Sequence, residues 1–79
     1  MTKINKALGQ VLIKYRTLAK ISQEELADRA GIHRTYVSQI ERGLKSPTLL
    51  ILFKISESLN TTPSILLSEV EQILDDIHP

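Results

Sequence analysis

The chain has 79 residues, no cysteine and a formal net charge of +1. That length fits one domain with a limited core, and the lack of thiols excludes a disulfide framework and any thiolate zinc site. Hydrophobic residues make up 42%, enough for a packed globule and too many for a disordered chain. The longest apolar run, Leu49 to Phe53, is far too short to span a membrane. Gln10 and Lys14 interrupt the stretch that a signal peptide would need after Lys3 and Lys6. The expectation is a cytoplasmic protein with no membrane partner.

The charge is unevenly placed. Residues 1–61 hold all ten basic residues against five acids, a balance of +5. Residues 62–79 hold Glu69, Glu71, Asp75 and Asp76 and no Lys or Arg, a balance of −4. A basic body with an acidic tail fits binding of a polyanion by the body.

No segment alternates with a period of two, whereas nearly every segment has helical spacing, so the predicted class is all-α with five helices in one domain. The first runs from about Ile4 to Ala19, with Ile4, Leu8, Val11, Leu12, Tyr15, Leu18 and Ala19 on one stripe. Ser22-Gln23-Glu24-Glu25 reads as a capping box in which Glu25 reaches back. It opens a second helix that turns Leu26, Ala27 and Ala30 inward and stops at Gly31. A third spans about Arg34 to Arg42, burying Val37 and Ile40, and ends at Gly43. Thr48 caps a fourth, about Leu49 to Leu59, with Leu49, Leu52, Ile55 and Leu59 inward. Thr62-Pro63 then pairs an N-cap with proline at the first helical position. The fifth helix, about residues 63–77, carries Leu66, Val70, Ile73, Leu74 and Ile77 on one face.

The second and third helices are separated only by Gly31, Ile32 and His33, a helix-turn-helix spacing. In such a pair the second helix must project its outer face into a major groove about 12 Å wide. That face offers Arg34, Thr35, Ser38 and Gln39, with no acid to repel DNA. Arginine can bond guanine bidentately, glutamine can do the same with adenine, and a threonine methyl can touch the thymine methyl.

The run Ser22-Gln23-Glu24-Glu25-Leu26-Ala27, then Ala30-Gly31, Ser38-Gln39-Ile40-Glu41-Arg42-Gly43, Pro47, Leu59 and Leu66-Leu67 resembles the lambda-repressor-like, or Xre-type, helix-turn-helix family. The resemblance covers about Leu8 to Leu67. Within the family, His33-Arg34-Thr35-Tyr36-Val37-Ser38 is similar to the small controller proteins of restriction–modification systems. The resemblance implies that Gln23 contacts a phosphate and braces the recognition helix, that Arg34, Thr35, Ser38 and Gln39 face bases, and that Tyr36 lies near the DNA backbone. It also implies a partly buried salt bridge between Arg16 and Glu41. His33, at the cap of the third helix, and Arg42 and Lys45 beyond it are further candidates for phosphate contact. Thr61 replaces a common apolar residue of the family, while Ile51 and Ile65 replace common polar ones and add apolar surface.

The leading expectation is a homodimeric regulator of transcription on a near-palindromic duplex site. Its dimer contact is expected through Val70, Ile73, Leu74 and Ile77, widened by Ile51 and Ile65. The alternative is a protein-interaction module, such as an antitoxin or adaptor, built on the same helices. An enzyme is disfavoured: no histidine sits where this scaffold would bring it beside a nucleophile and an orienting acid, and there is no phosphate-binding glycine loop. No metal site is expected, since His33 has only His78 as a histidine partner. Neither a cofactor nor a small-molecule effector can be inferred.

Overall fold

A computed structural model describes residues 2–77, and side chains as far as Asp76; His78 and the side chain of Ile77 lie outside what is described. Five helices follow in order: α1 (Lys3–Ala19), α2 (Gln23–Ala30), α3 (Arg34–Glu41), α4 (Leu49–Ser58) and α5 (Pro63–Ile77). No helix among the described residues is long and apolar enough to cross a membrane.

Four of the five helices, all but α3, begin where a side chain takes up an orphan amide. Thr2 Oγ1 accepts from the Asn5 amide at 3.0 Å, and Ser22 Oγ from Glu25 at 3.0 Å. Thr48 Oγ1 accepts from Ile51 at 3.2 Å, and Thr62 Oγ1 from Ile65 at 3.3 Å. Only half of the expected capping box forms. The Glu25 carboxylate pairs with Arg29 one turn on instead of reaching back to Ser22, because an i,i+4 arginine offers it a charged donor. α1 ends at Lys20, left-handed at φ 60° without being glycine.

The core is aliphatic. Leu12, Leu26, Ile40, Ile55 and Leu66, one from each helix, are all at most 1% exposed. Burying each such side chain contributes about 1.5–3 kcal/mol. α1 packs against α3 and α5, α2 against α3 and α4, and α4 against α5. Ser56, also in the core, satisfies its hydroxyl on the Leu52 carbonyl at 2.7 Å.

The structure corrects several expected faces. Val70 is 3% exposed and belongs to the core of its own chain, and Ile73 and Leu74 pack against that core half-buried. The reason is the long α1–α5 contact, which uses the C-terminal stripe within the monomer. Ile51 likewise leans on the core. Conversely, Ile4, Leu18 and Leu49 are exposed, because the apolar stripes of α1 and α4 are longer than the elements packed on them. A polar clasp also joins α1 to α5: Lys14 Nζ meets Glu69 Oε1 at 2.6 Å, and the Tyr15 hydroxyl donates to Glu69 Oε2.

Candidate nucleic-acid interface

The α2–α3 connection is set by one residue with positive φ. Gly31 adopts φ 69° and ψ 36° and lets its amide bond Ala27 and Asp28 carbonyls. The Ile32 amide then returns to the Ala27 carbonyl at 3.0 Å. This double closure turns the chain sharply enough for α3 to start at once. His33 is the N-cap residue of α3, extended at φ −77° and ψ 144°, and its side chain makes no capping bond.

At 100° per residue, Arg34, Ser38, Arg42, Thr35 and Gln39 fall within an arc of about 140° around α3 and its C-cap. Val37, Ile40 and Glu41 form the opposite, buried side. Arg34, Thr35 and Arg42 are exposed, and Ser38 and Gln39 are half-buried. Among the described residues, no side-chain hydrogen bond or ion pair ties Arg34, Thr35, Ser38 or Gln39 to the rest of the molecule. Tyr36 lies outside this arc and packs half-buried against the core. With Ile32, His33, Thr35 and Gln39 it lines a shallow apolar groove beside the helix.

Behind the arc lies a buried charge. The Glu41 side chain is 2% exposed and accepts from Arg16 Nε at 2.7 Å, Arg16 Nη2 at 3.1 Å and Gln23 Nε2 at 2.9 Å. Arg16 Nη1 also donates to the Ile21 carbonyl at 3.0 Å. The hydrogen bonds to Glu41 raise the Arg16 pKa above its ordinary value, so the guanidinium stays charged. Three elements thus meet at one carboxylate: α1 through Arg16, the first residue of α2 through Gln23, and α3 itself. The Gln23 amide nitrogen is held inward, leaving its carbonyl and second N–H for other partners.

Two features of this region carry no expectation in the sequence pattern. Lys6 is exposed, and its backbone lies against Gly43: a Cβ built there would sit 3.1 Å from Lys6 Cα. This brings a third cation beside Arg42 and Lys45 on the loop after α3. The second is Gly9, in mid-helix. A Cβ there would lie 2.3 Å from the Glu41 carbonyl oxygen. A glycine in a helix interior costs about 1 kcal/mol relative to alanine, and that cost was the available signal of a close approach.

An all-helical domain with this connection and this braced third helix is a helix-turn-helix module. The helix-turn-helix family profile matches residues 12–66, and the chain belongs to that family of DNA-binding transcription regulators. It is 37% identical over 65 residues to control protein C.SmaI of Serratia marcescens, spanning 82% of this chain and 77% of that one. The restriction–modification controller C.AhdI of Aeromonas hydrophila superposes with a TM-score of 0.77 at 35% identity, covering 78% of this chain and 94% of the other. The controller C.Esp1396I, solved as a tetramer with its natural 35 base-pair operator, superposes with a TM-score of 0.82 at 25% identity, covering 91% and 95%. The chain spans only 55–60% of the length of several other curated relatives.

Proposed function

We propose that this chain is a homodimeric transcription regulator that places α3 in the major groove of a near-palindromic duplex. The observation that carries this reading is the arc of Arg34, Thr35, Ser38 and Gln39. It is free of acids, makes no side-chain hydrogen bond or ion pair among the described residues, and is backed by a buried ion pair. Arg34 and Gln39 are the base-reading residues, with Thr35 and Ser38 beside them. His33, Tyr36, Gln23, Arg42 and Lys45 line the phosphate-facing margin, and Lys6 joins them.

The partner across the two-fold axis is a second copy. Tetramer formation by C.Esp1396I on its operator supports association of copies. The C-terminal stripe is largely consumed inside the monomer, so the proposed contact moves to apolar side chains that remain exposed. Leu49, Leu50 and Phe53 of α4 and Ile65 and Leu67 of α5 are all 40–69% exposed. Ile51, Ile73 and Leu74 contribute only their half-exposed margins. A helix-turn-helix dimer reads half-sites about one duplex turn apart, roughly 34 Å, and the proposed two-fold must meet that spacing. The likeness to C.SmaI and C.AhdI favours control of a restriction–modification system, which a neighbouring endonuclease or methyltransferase gene would support.

Selection of bound duplexes from a random pool tests the reading. The expected product is an inverted repeat with half-sites one turn apart. Sedimentation equilibrium at tens of micromolar should give a dimer mass, and Phe53→Asp should give a monomer. Recovery of no preferred sequence, with capture of a protein partner in its place, would favour the adaptor alternative.

A further inference from the structure

We propose that the face of α1 bearing Gly9 and Arg16 is the seat that fixes the height and tilt of α3, and therefore governs sequence discrimination without itself facing bases. The inference rests on the DNA-binding reading above. Gly9 and Arg16 are seven residues apart, two turns, and so share one side of α1. They act on the same end of α3 in opposite senses. Arg16 holds the Glu41 carboxylate through two donors at 2.7 and 3.1 Å. Gly9 meets the backbone directly: a Cβ there would lie 2.3 Å from the Glu41 carbonyl oxygen, 2.8 Å from that of Ile40 and 2.9 Å from the Glu41 carbonyl carbon. All three are main-chain atoms, so no flexible side chain can yield.

The displacement that a methyl group would force follows from these distances. Moving the nearest contact from 2.3 Å to the 3.4 Å of ordinary van der Waals contact lifts the C-terminal end of α3 by about 1 Å. The other end is tied to α2, because the Gly31 amide bonds the Asp28 carbonyl and the Ile32 amide bonds that of Ala27. An eight-residue helix is about 12 Å long, so a 1 Å lift at one end is a tilt of about 5°. Hydrogen bonds to base edges tolerate donor–acceptor distances of only about 2.7–3.2 Å. The lift is largest beneath Gln39 and Arg42 and smallest beneath Arg34. Loosening the seat should therefore relax the bases read by Gln39 before those read by Arg34. Lost packing alone would lower stability without this gradient.

The test uses the full chain with Gly9→Ala and, separately, Arg16→Lys, which keeps the charge but offers a single nitrogen in place of a fork. Each variant that melts cooperatively is titrated with the duplex selected by the wild type and with a scrambled duplex. The expected result is a loss of about tenfold in the ratio of the two affinities, the size of one weakened base contact. Scrambled-duplex binding should stay within about twofold, since phosphate contacts carry it. Amide NMR shifts should move most at residues 38–42. If Gly9→Ala does not fold, Arg16→Lys alone decides. Folded variants with the wild-type ratio and base preferences would overturn this inference and leave DNA binding standing. A wild-type chain that prefers no sequence would overturn the DNA-binding reading, and this inference with it.

Discussion

Glu41→Ala should be among the most damaging single changes in this molecule. Its carboxylate is almost fully buried and accepts three hydrogen bonds, two from a cation. Hydrogen bonds to charged groups contribute about 1.5–3 kcal/mol each, net of desolvation. Truncating one member of a buried pair costs about 3–5 kcal/mol, because the other charge is stranded. Here the stranded group would be Arg16, whose side chain is 19% exposed and keeps its bond to the Ile21 carbonyl. Water can reach it, so the cost falls at the lower end, about 3 kcal/mol. For a domain of this size each kcal/mol moves the melting temperature by about 4–8 °C, giving a fall of roughly 12–24 °C. Arg16→Ala should cost more, since it strands the more deeply buried partner with one amide donor. Thermal melts followed by circular dichroism, at one fixed chain concentration to hold any association constant, measure both. A double-mutant cycle then isolates the coupling. A Glu41→Ala melt within about 3 °C of wild type, or purely additive single changes, would refute a net stabilising pair.

Other changes separate readout from scaffold. Arg34→Ala should lose about 1–3 kcal/mol of discrimination at one base position, visible by duplex selection, while its melting temperature stays put because the side chain is exposed and makes no hydrogen bond or ion pair among the described residues. Leu66→Ala, at a fully buried position, should cost about 2–5 kcal/mol in denaturant unfolding. The α1–α5 clasp should appear as a pH dependence. Hydrogen bonds from Lys14 and then Tyr15 hold the Glu69 carboxyl below its ordinary pKa. Its stabilising contribution is therefore present above about pH 4.3, the unfolded value, and is lost as pH falls through the lowered folded value. Glu69→Gln should be less stable than wild type at neutral pH, and the difference should vanish on acidification. A constant difference down to pH 2 would show that the carboxylate charge is not what joins the helices.

Most of the fold was legible because the sequence marks its helix boundaries chemically. Ser22, Thr48 and Thr62 are caps whose hydroxyls bond where the pattern requires, and Gly31 is left-handed where a stop was expected. The end of α1 was less marked, since Lys20 takes the left-handed position without being glycine. The outer arc of α3 was also legible, since helical periodicity alone separates Arg34, Thr35, Ser38 and Gln39 from Val37 and Ile40. Partners between helices were not. Glu69 lies 54 residues from Tyr15, and periodicity within one helix carries no information about which neighbour covers it. For the same reason Val70 read as surplus apolar surface, although α1 buries it. The expected Arg16–Glu41 pair came from family resemblance, and neither residue's local spacing points to the other.

The residues proposed to face a nucleic acid are also the least committed to holding the protein together. Arg34, Thr35, Ser38 and Gln39 have no bonded partners in the described chain, while the tie that steadies their helix sits one residue before Arg42, on its concealed side. Exchanging all four should therefore be nearly silent in a melting experiment yet rewrite the preferred duplex. A lineage could alter the address it reads through a handful of codons, each step leaving a folded protein. Two paralogues in one cell could become insulated from each other's sites by the same short path. The reverse does not hold: changes at Glu41, Arg16 or Gly9 disturb buried contacts, so drift in this chain should be channelled to the surface proposed to choose its target.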